Sequence, residues 1–119
     1  MDVKNILASI GLTKGEIDVY LALLDIGLST TGGITKNAEI SSSKVYEVLQ
    51  RLISKGLANY VIENGIHYYS ATPVERLIDF LDWKKREIDQ GKEAVKALVP
   101  YLESKRNHQK IAEAIIYRG

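Results

Sequence analysis

The feature that most constrains the fold is the dipeptide Asn64-Gly65, which separates two runs rich in β-branched and aromatic residues. These runs cover residues 57–63 and 66–72. Asn-Gly is the strongest short hairpin signal because both of its residues accept the positive φ angles of a tight turn. The sequence therefore predicts two short antiparallel strands. Apolar residues elsewhere recur at helical spacing, so we expect a mainly α fold with a small β-hairpin.

The first helical signal is a capping box at residues 13–16, in which the Thr13 hydroxyl and the Glu16 side chain would each accept a backbone N–H. Apolar residues follow at helical spacing until Gly27, a residue typical of the position just after a helix. A turn or two of helix is also expected at residues 2–9. The chain should thus begin with a short helix and a longer one.

Two more helices are predicted before the hairpin. The first is short, roughly residues 32–37, and follows cap candidates at residues 29–31. The second opens at the serine cluster of residues 41–43 and ends at Gly56, with one apolar face. That face is formed by Val45, Val48, Leu49, Leu52 and Ile53.

A long helix is predicted after the hairpin, starting at a second capping pattern in residues 72–75 and covering roughly residues 73–107. Thirty-five helical residues would span about 50 Å. Apolar residues repeat along it with the spacing of a coiled-coil seam, which needs a partner helix. The predicted dimerisation residues are Val74, Leu77, Leu81, Ile88, Val95, Leu98 and Leu102.

Two features modify this expectation for the long helix. Proline lacks an amide N–H, so Pro100 should kink or locally open the helix and divide the seam into two segments. The first turns, with Val74, Leu77 and Leu81, could instead pack against the preceding helices. Residues 108–119 form an apolar tail, which has the character of the start of another element.

Residues 1–72 are predicted to form a winged helix-turn-helix. The prediction follows from the order of their elements: a helix, a short helix, a serine-capped amphipathic helix, a glycine and a hairpin. In that fold the second helix of the pair lies in the DNA major groove, and the hairpin forms a wing beside it. DNA binding would have to depend on a local surface patch. The whole chain has a net charge of only +1, and residues 1–72 carry six basic and seven acidic residues.

The candidate DNA contacts lie mainly on the polar face of the amphipathic helix. Arginine can pair with guanine or a phosphate, glutamine with adenine, and serine, lysine and tyrosine with phosphates. A solvated helix face is the alternative for each of these residues, although the motif favours DNA contact for Lys44 and Arg51, and Tyr46 could instead pack partly against the core. A histidine on the wing is typical of an exposed strand. The predicted DNA-binding residues are Ser42, Ser43, Lys44, Tyr46, Gln50 and Arg51, with Lys36, Asn64 and His67 in addition.

Composition excludes several other classes of function. The chain has no cysteine and only two histidines, His67 and His108, which argues against disulfides, a zinc site and a cysteine nucleophile. No catalytic pair or phosphate-binding glycine loop is present, so neither an enzyme nor a cofactor is expected. No apolar run is long enough to span a membrane, and a cytoplasmic location is expected. A protein-interaction module that dimerises without binding DNA is the alternative function.

Three runs of the sequence resemble the TrmB-type transcriptional regulators, a mostly archaeal family. The distinctive features are Glu-x-x-x-Tyr in the first long helix, then Ser-Lys-Val-Tyr and Lys-Gly-Leu in and after the amphipathic helix. The runs are residues 12–24, 43–57 and 68–73. The resemblance implies a homodimeric DNA-binding repressor or activator with a coiled-coil linker.

The resemblance also implies a C-terminal sugar-binding domain in full-length members. Here the last four residues, 116–119, look like the first strand of such a domain. The chain is then either a piece of a longer protein or a short family member. A sugar effector is expected only if a C-terminal domain is missing from this sequence.

Overall fold

The structure, a computed structural model, describes the backbone of residues 1–118 and the side chains of residues 1–108 and 113–116. Two compact units are present, one from Met1 to Leu81 and one from Asp82 onward. The elements are α1 (Val3–Ser9), α2 (Lys14–Ile26), α3 (Thr31–Ala38), α4 (Ser42–Ser54), β1 (Ala58–Glu63), β2 (Ile66–Ala71) and α5 (Arg76–Arg118).

The capping box predicted for α2 is confirmed. The Thr13 N–H donates to Glu16 Oε1 at 2.8 Å, and the Glu16 N–H donates to Thr13 Oγ1 at 3.2 Å. The helix ends at Gly27, whose N–H donates to the carbonyl of Leu23 at 2.9 Å. Both ends of α2 are therefore satisfied by residues close in sequence, which is why the sequence predicted them well.

The predicted helices α3 and α4 are also present, within a residue or two of their expected bounds. The serine cluster does begin α4, but Ser41 caps it without a side-chain hydrogen bond to the helix. Its Oγ lies 3.1 Å from Ser43 Oγ instead. The chain leaves α4 through Gly56, which has a φ of +75°.

The hairpin turns at Asn64 and Gly65, with φ angles of +52° and +76°, as the sequence predicted. Strands β1 and β2 are antiparallel, and Tyr60 lies opposite Tyr69 while Ile62 lies opposite His67. Paired residues project from the same side of a sheet, so the side chains of these four residues share one face of the wing.

The core of the first unit joins α2, α3, α4, the hairpin and the first turns of α5. Val45, Leu49 and Leu52 of α4 are fully buried, and Ile53 is half-buried. Leu77 packs against this core and Phe80 is part of it, whereas Val74 and Leu81 are exposed. The sequence analysis did not single out Phe80. The architecture is a winged helix-turn-helix followed by a long helix.

The long helix differs from prediction at its start. No capping hydrogen bond to Thr72 is seen within the described residues, and its hydroxyl donates to the Gly56 carbonyl at 2.7 Å. Pro73 begins a tight turn, with the Arg76 N–H donating to its carbonyl at 2.9 Å, and α5 begins at Arg76. The helix thus begins three residues later than predicted, and the Thr72 side chain contacts the end of α4.

The long helix also differs from prediction towards its end. It continues through Pro100 as one α-helix, so the expected local opening at this residue is wrong. The strand predicted at residues 116–119 is wrong for residues 116–118, which belong to α5, while Gly119 lies outside the described residues. A helix satisfies its own hydrogen bonds, whereas a strand needs a partner strand. Within the searched part of the chain, no helix is long and apolar enough to cross a membrane.

Candidate nucleic-acid interface

Helix α4 buries one face and leaves the opposite face in solvent. Val45, Val48, Leu49 and Leu52 are buried in the core. The predicted contact residues on the other side are exposed: Ser42, Ser43, Lys44, Tyr46 and Gln50. The structure therefore brings these five side chains together on the first two-thirds of one helix, as the apolar periodicity required.

Lys44 lies in the first turn of α4 and has no ion pair within the described residues. Its charge is therefore available for a phosphate. Ser42 is exposed beside it, and Ser43 shares a hydrogen bond with Ser41. The start of α4 thus carries one available cation and two exposed hydroxyl groups.

Arg51 is placed differently from the other predicted contacts. Its Nη1 donates to Glu47 Oε1 at 2.9 Å, and its Nε lies 3.5 Å from Glu16 Oε2 without a hydrogen bond. The side chain is 37% exposed. Two carboxylates therefore hold the guanidinium through Nη1 and Nε, and a DNA contact through its remaining N–H donors requires neither pair to break.

Glu16 is a fully buried carboxylate at the centre of this arrangement. It accepts hydrogen bonds from the Thr13 N–H and from Lys55 Nζ. Burial acts to raise the pKa of Glu16, but the hydrogen bonds from Lys55 and Thr13 together with the Lys55 charge outweigh it, so this pKa lies below its ordinary value. The ion pair connects α2 to the end of α4 and so fixes the two helices against each other.

The wing carries aromatic side chains and no lysine or arginine. The ring of Tyr60 lies 4.9 Å from that of His67 and 5.8 Å from that of Tyr69. Asn64 is exposed in the turn. His67 is thus part of an aromatic cluster rather than an isolated strand residue.

A cavity of about 440 Å³ lies between the start of α3, the middle of α4 and the wing. We call it the wing cavity, and it is lined by Thr30, Thr31, Tyr46, Gln50, Gly65, Ile66, His67 and Tyr69. It brings together Tyr46, Gln50 and His67 of the predicted set. Lys36 and Asn64 are exposed elsewhere on α3 and the turn and do not line it.

Thr30, Thr31 and Tyr69 were not predicted from the sequence to lie on this surface. Residues 29–31 were recognised only as helix-cap candidates, and Tyr69 as part of a strand. Their proximity comes from two backbone hydrogen bonds between Ser29 and Tyr69, of 2.9 and 2.7 Å. Because such a pairing joins segments forty residues apart, no local sequence pattern could have revealed it.

No cluster of three or more His, Cys, Asp or Glu side chains able to hold a metal ion occurs in the part of the chain that was searched, residues 109–112 and 117–119 being outside the description. The described geometry therefore concentrates polar, mostly uncharged groups at α4 and the wing cavity, with one available lysine.

Comparison with known proteins decides the family. Residues 7–75 match the family model described as "Sugar-specific transcriptional regulator TrmB". The chain belongs to the TrmB family. These are transcriptional regulators with DNA-binding winged-helix domains. A curated relative, the HTH-type sugar sensing transcriptional regulator TrmBL1 of Pyrococcus furiosus, is 40% identical over 55 residues, which is 46% of this chain and 16% of that protein.

Solved structures support the same fold. TrmBL2, described as an archaeal chromatin protein with a novel mode of DNA binding, is 28% identical, with a TM-score of 0.63 over 77% of this chain and 35% of that one. The ST1889 protein of Sulfolobus tokodaii is 20% identical, with a TM-score of 0.57 over 75% and 92%. A MarR family protein of Bacillus stearothermophilus is 19% identical, with a TM-score of 0.53 over 92% and 81%.

This chain matches only part of the length of TrmBL1 and of TrmBL2. It spans 16% of the length of TrmBL1 and 35% of that of TrmBL2. The matched family region, residues 7–75, ends before α5 begins. Family membership is therefore established for the winged helix, and the finer activities are proposals.

Proposed function

We propose that this TrmB-family chain is a sequence-specific double-stranded DNA-binding transcriptional regulator that acts as a homodimer. The observation that carries the proposal is the exposed polar face of α4, whose opposite face is fixed in the core. In a winged helix-turn-helix this is the face that enters the major groove.

The contacts divide into two kinds. Lys44, Ser42 and Ser43 at the start of α4 suit phosphate contacts, which position the protein without reading sequence. Gln50 lies further along the same exposed face, and its amide can pair with both N6 and N7 of adenine. Arg51 is the ion-pair partner of Glu47 and Glu16, and contacts DNA through the guanidinium N–H donors that these carboxylates do not engage.

The homodimer is proposed from α5. Three side chains spaced by seven residues, Ile88, Val95 and Leu102, are 67%, 55% and 47% exposed, and Leu98 is 44% exposed. Exposed apolar residues at this spacing are the seam of a coiled coil, so a second copy of the chain would cover them. Two recognition helices would then bind half-sites about 34 Å apart.

DNA binding is tested by fluorescence anisotropy with a labelled random-sequence duplex over a series of salt concentrations. Each neutralised phosphate contributes about 0.9 to the slope of log affinity against log salt. Lys44→Ala should reduce that slope by about one unit per bound head. The matched control, Lys96→Ala, removes the same charge from an exposed position on α5 away from the seam and should leave the slope unchanged.

Sequence specificity is tested with Gln50→Ala on a duplex selected from a random library by the wild-type protein. A good bidentate pair is worth about 1–3 kcal/mol of discrimination. The variant should therefore lose preference at one adenine position and keep the salt slope. If the wild-type chain binds no duplex at low salt, the DNA-binding proposal is wrong and the protein-interaction alternative replaces it.

The dimer is tested by sedimentation of the double variant Ile88→Asp/Val95→Asp. Charged residues in the seam leave buried charges unpaired, so this variant should sediment as a monomer. Substitutions of the same kind on the face away from the seam, Gln90→Asp and Ala97→Asp, should leave the dimer intact. A dimer that survives the seam substitutions would place the interface elsewhere.

A further inference from the structure

We propose that Glu47 is a specificity-determining residue that accepts a hydrogen bond from the N4 amino group of a cytosine in the major groove of the bound DNA. The inference rests on the proposed DNA-binding function and adds a base contact at a residue outside the predicted DNA-binding set. Three observations carry it: the position of Glu47 on α4, the ion pairs that orient its carboxylate, and the acceptor oxygen that these ion pairs leave available.

Glu47 lies in the middle of the exposed face of α4. It follows Ser43 by four residues and precedes Gln50 by three, so the three side chains lie along one side of the helix. The Glu47 side chain is 73% exposed. A helix that presents Ser43 and Gln50 to DNA therefore presents Glu47 to it as well.

The negative charge of Glu47 is unfavourable at this position unless it makes a specific contact. DNA phosphates repel a carboxylate that approaches them. The repulsion is offset where a neighbouring cation reduces the charge and where the carboxylate oxygens accept hydrogen bonds from the DNA. Both conditions can be examined at Glu47.

Arg51 supplies the cation and also orients the carboxylate. Its Nη1 donates to Glu47 Oε1 at 2.9 Å. Its Nε lies 3.5 Å from Oε2 of Glu16, which is fully buried. The guanidinium is thus held on one side by a carboxylate fixed in the core, and on the other it holds Glu47. A side chain that is oriented before binding loses less conformational entropy when it binds.

The second carboxylate oxygen of Glu47 is available for a donor. Oε1 accepts from Arg51, whereas Oε2 makes no hydrogen bond within the residues that the structure describes. An ionised carboxylate has acceptor sites only, so the partner of Oε2 must be a hydrogen-bond donor.

The base edges of the major groove differ in the donors that they present. Guanine presents the acceptors N7 and O6, and thymine presents the acceptor O4 and a methyl group. Adenine has a donor at N6 but an acceptor at N7 beside it, whereas cytosine presents its N4 donor alone. A carboxylate therefore favours cytosine. The guanine paired with it offers O6 and N7 to the remaining N–H donors of Arg51.

The main test measures base preference with the full chain. A duplex is selected from a random library by the wild-type protein, and each position is then changed to every other base and measured by fluorescence anisotropy. One position in each half-site should require cytosine, with the other bases binding about tenfold more weakly. Glu47→Ala should bind all four bases at that position within about threefold. Alanine favours a helix and the position is exposed, so this variant keeps the fold.

The matched control is Glu63→Ala, which removes an exposed carboxylate at the end of β1. Both variants should bind random-sequence duplex more tightly than wild type, because each removes a charge that phosphates repel. Only Glu47→Ala should lose the cytosine preference. An effect of charge alone would change the two variants in the same way.

The N4 contact itself is tested by replacing the selected cytosine with 2-pyrimidinone, a base that lacks the N4 amino group. Wild type should bind the altered duplex about tenfold more weakly, whereas Glu47→Ala should bind both duplexes within about twofold. Both proteins meet the same pair of duplexes, so any effect of the analogue on base pairing cancels. An equal loss for both proteins would overturn the contact.

Glu47→Gln provides a test in which specificity is gained. Glutamine can pair with N6 and N7 of adenine, so this variant should bind adenine at the selected position at least as well as cytosine. A variant that still requires cytosine as strictly as wild type would show that residue 47 does not read this base.

The two proposals fail in distinguishable ways. If wild type binds duplex and Lys44→Ala lowers the salt slope, but the Glu47 variants keep the base preferences of wild type, the pair of Glu47 and Arg51 is a surface ion pair only. The cytosine contact is then wrong and DNA binding stands. If wild type binds no duplex, the proposed function is wrong and the cytosine contact is wrong with it.

Discussion

Replacing Lys55 with methionine should destabilise the winged helix more than any other single surface substitution of similar size. Methionine keeps the apolar stem and removes the ammonium group that donates to the fully buried Glu16 carboxylate. Removing one partner of a buried ion pair costs about 3–5 kcal/mol. Arg51 Nε at 3.5 Å and the Thr13 N–H remain, so we expect a loss of about 2 kcal/mol.

Thermal unfolding at one fixed protein concentration measures this loss. A loss of 1 kcal/mol lowers Tm by about 4–8 °C in a domain of this size, so Lys55→Met should lower it by about 8–16 °C. The matched control is Lys14→Met, which breaks the 3.0 Å pair with Asp18 at a side chain that is 92% exposed. That exposed pair should contribute less than about 1 kcal/mol.

A double variant separates the lost ion pair from other effects. Glu16→Gln keeps an oxygen for the Thr13 N–H and removes the buried charge, so Glu16→Gln/Lys55→Met should recover more than half of the loss. If Lys55→Met unfolds within about 0.5 kcal/mol of wild type, the buried carboxylate is not what fixes α4 against α2.

Three further outcomes are expected. The pKa of Glu16 is lowered in the folded state. Its contribution to the free energy of unfolding is therefore present above the ordinary glutamate pKa and is lost as the pH falls through the folded-state pKa. The Tm difference between wild type and Lys55→Met should shrink below about pH 4. Tyr20→Phe removes a buried hydroxyl that has no partner among the described residues, so urea unfolding should show equal or higher stability, by up to about 1 kcal/mol. Gly65→Ala places a side chain at a φ of +76°, so it should cost about 1–2 kcal/mol and speed amide hydrogen exchange in the wing, whereas unchanged exchange would contradict the strained turn.

Local physical chemistry explains why most elements were predictable. The capping box of Thr13 and Glu16, the stop at Gly27 and the turn at Asn64 and Gly65 depend on groups at most four residues apart. The buried face of α4 follows from helical periodicity alone. A pattern that is satisfied within a few residues is visible in the sequence, and these elements formed within a residue or two of their predicted bounds.

The failures have one cause in common. Thr72 was predicted to cap α5, and its hydroxyl donates instead to Gly56, sixteen residues away. The end of the chain was predicted to form a strand, and residues 116–118 continue α5. In both places the local pattern was compatible with two structures. Contacts or hydrogen bonds outside the pattern favoured the structure that had not been predicted.

The candidate site shows the same division. Helical spacing was enough to place Ser42, Lys44 and Gln50 on one exposed face, since that depends only on the turn of the helix. The contact of Arg51 with Glu16 was not foreseen, because Glu16 lies 35 residues away in sequence and becomes a neighbour only when α2 packs against α4.

Tyr69 depends on folding in the same way. Its strand was evident from the hairpin pattern, but its burial and its place beside the start of α3 follow from the hydrogen bonds with Ser29. Elements and exposed faces arise from interactions between near neighbours in the chain. The charges that remain available and the donors that meet in one cavity depend on pairings across tens of residues, which exist only in the packed fold.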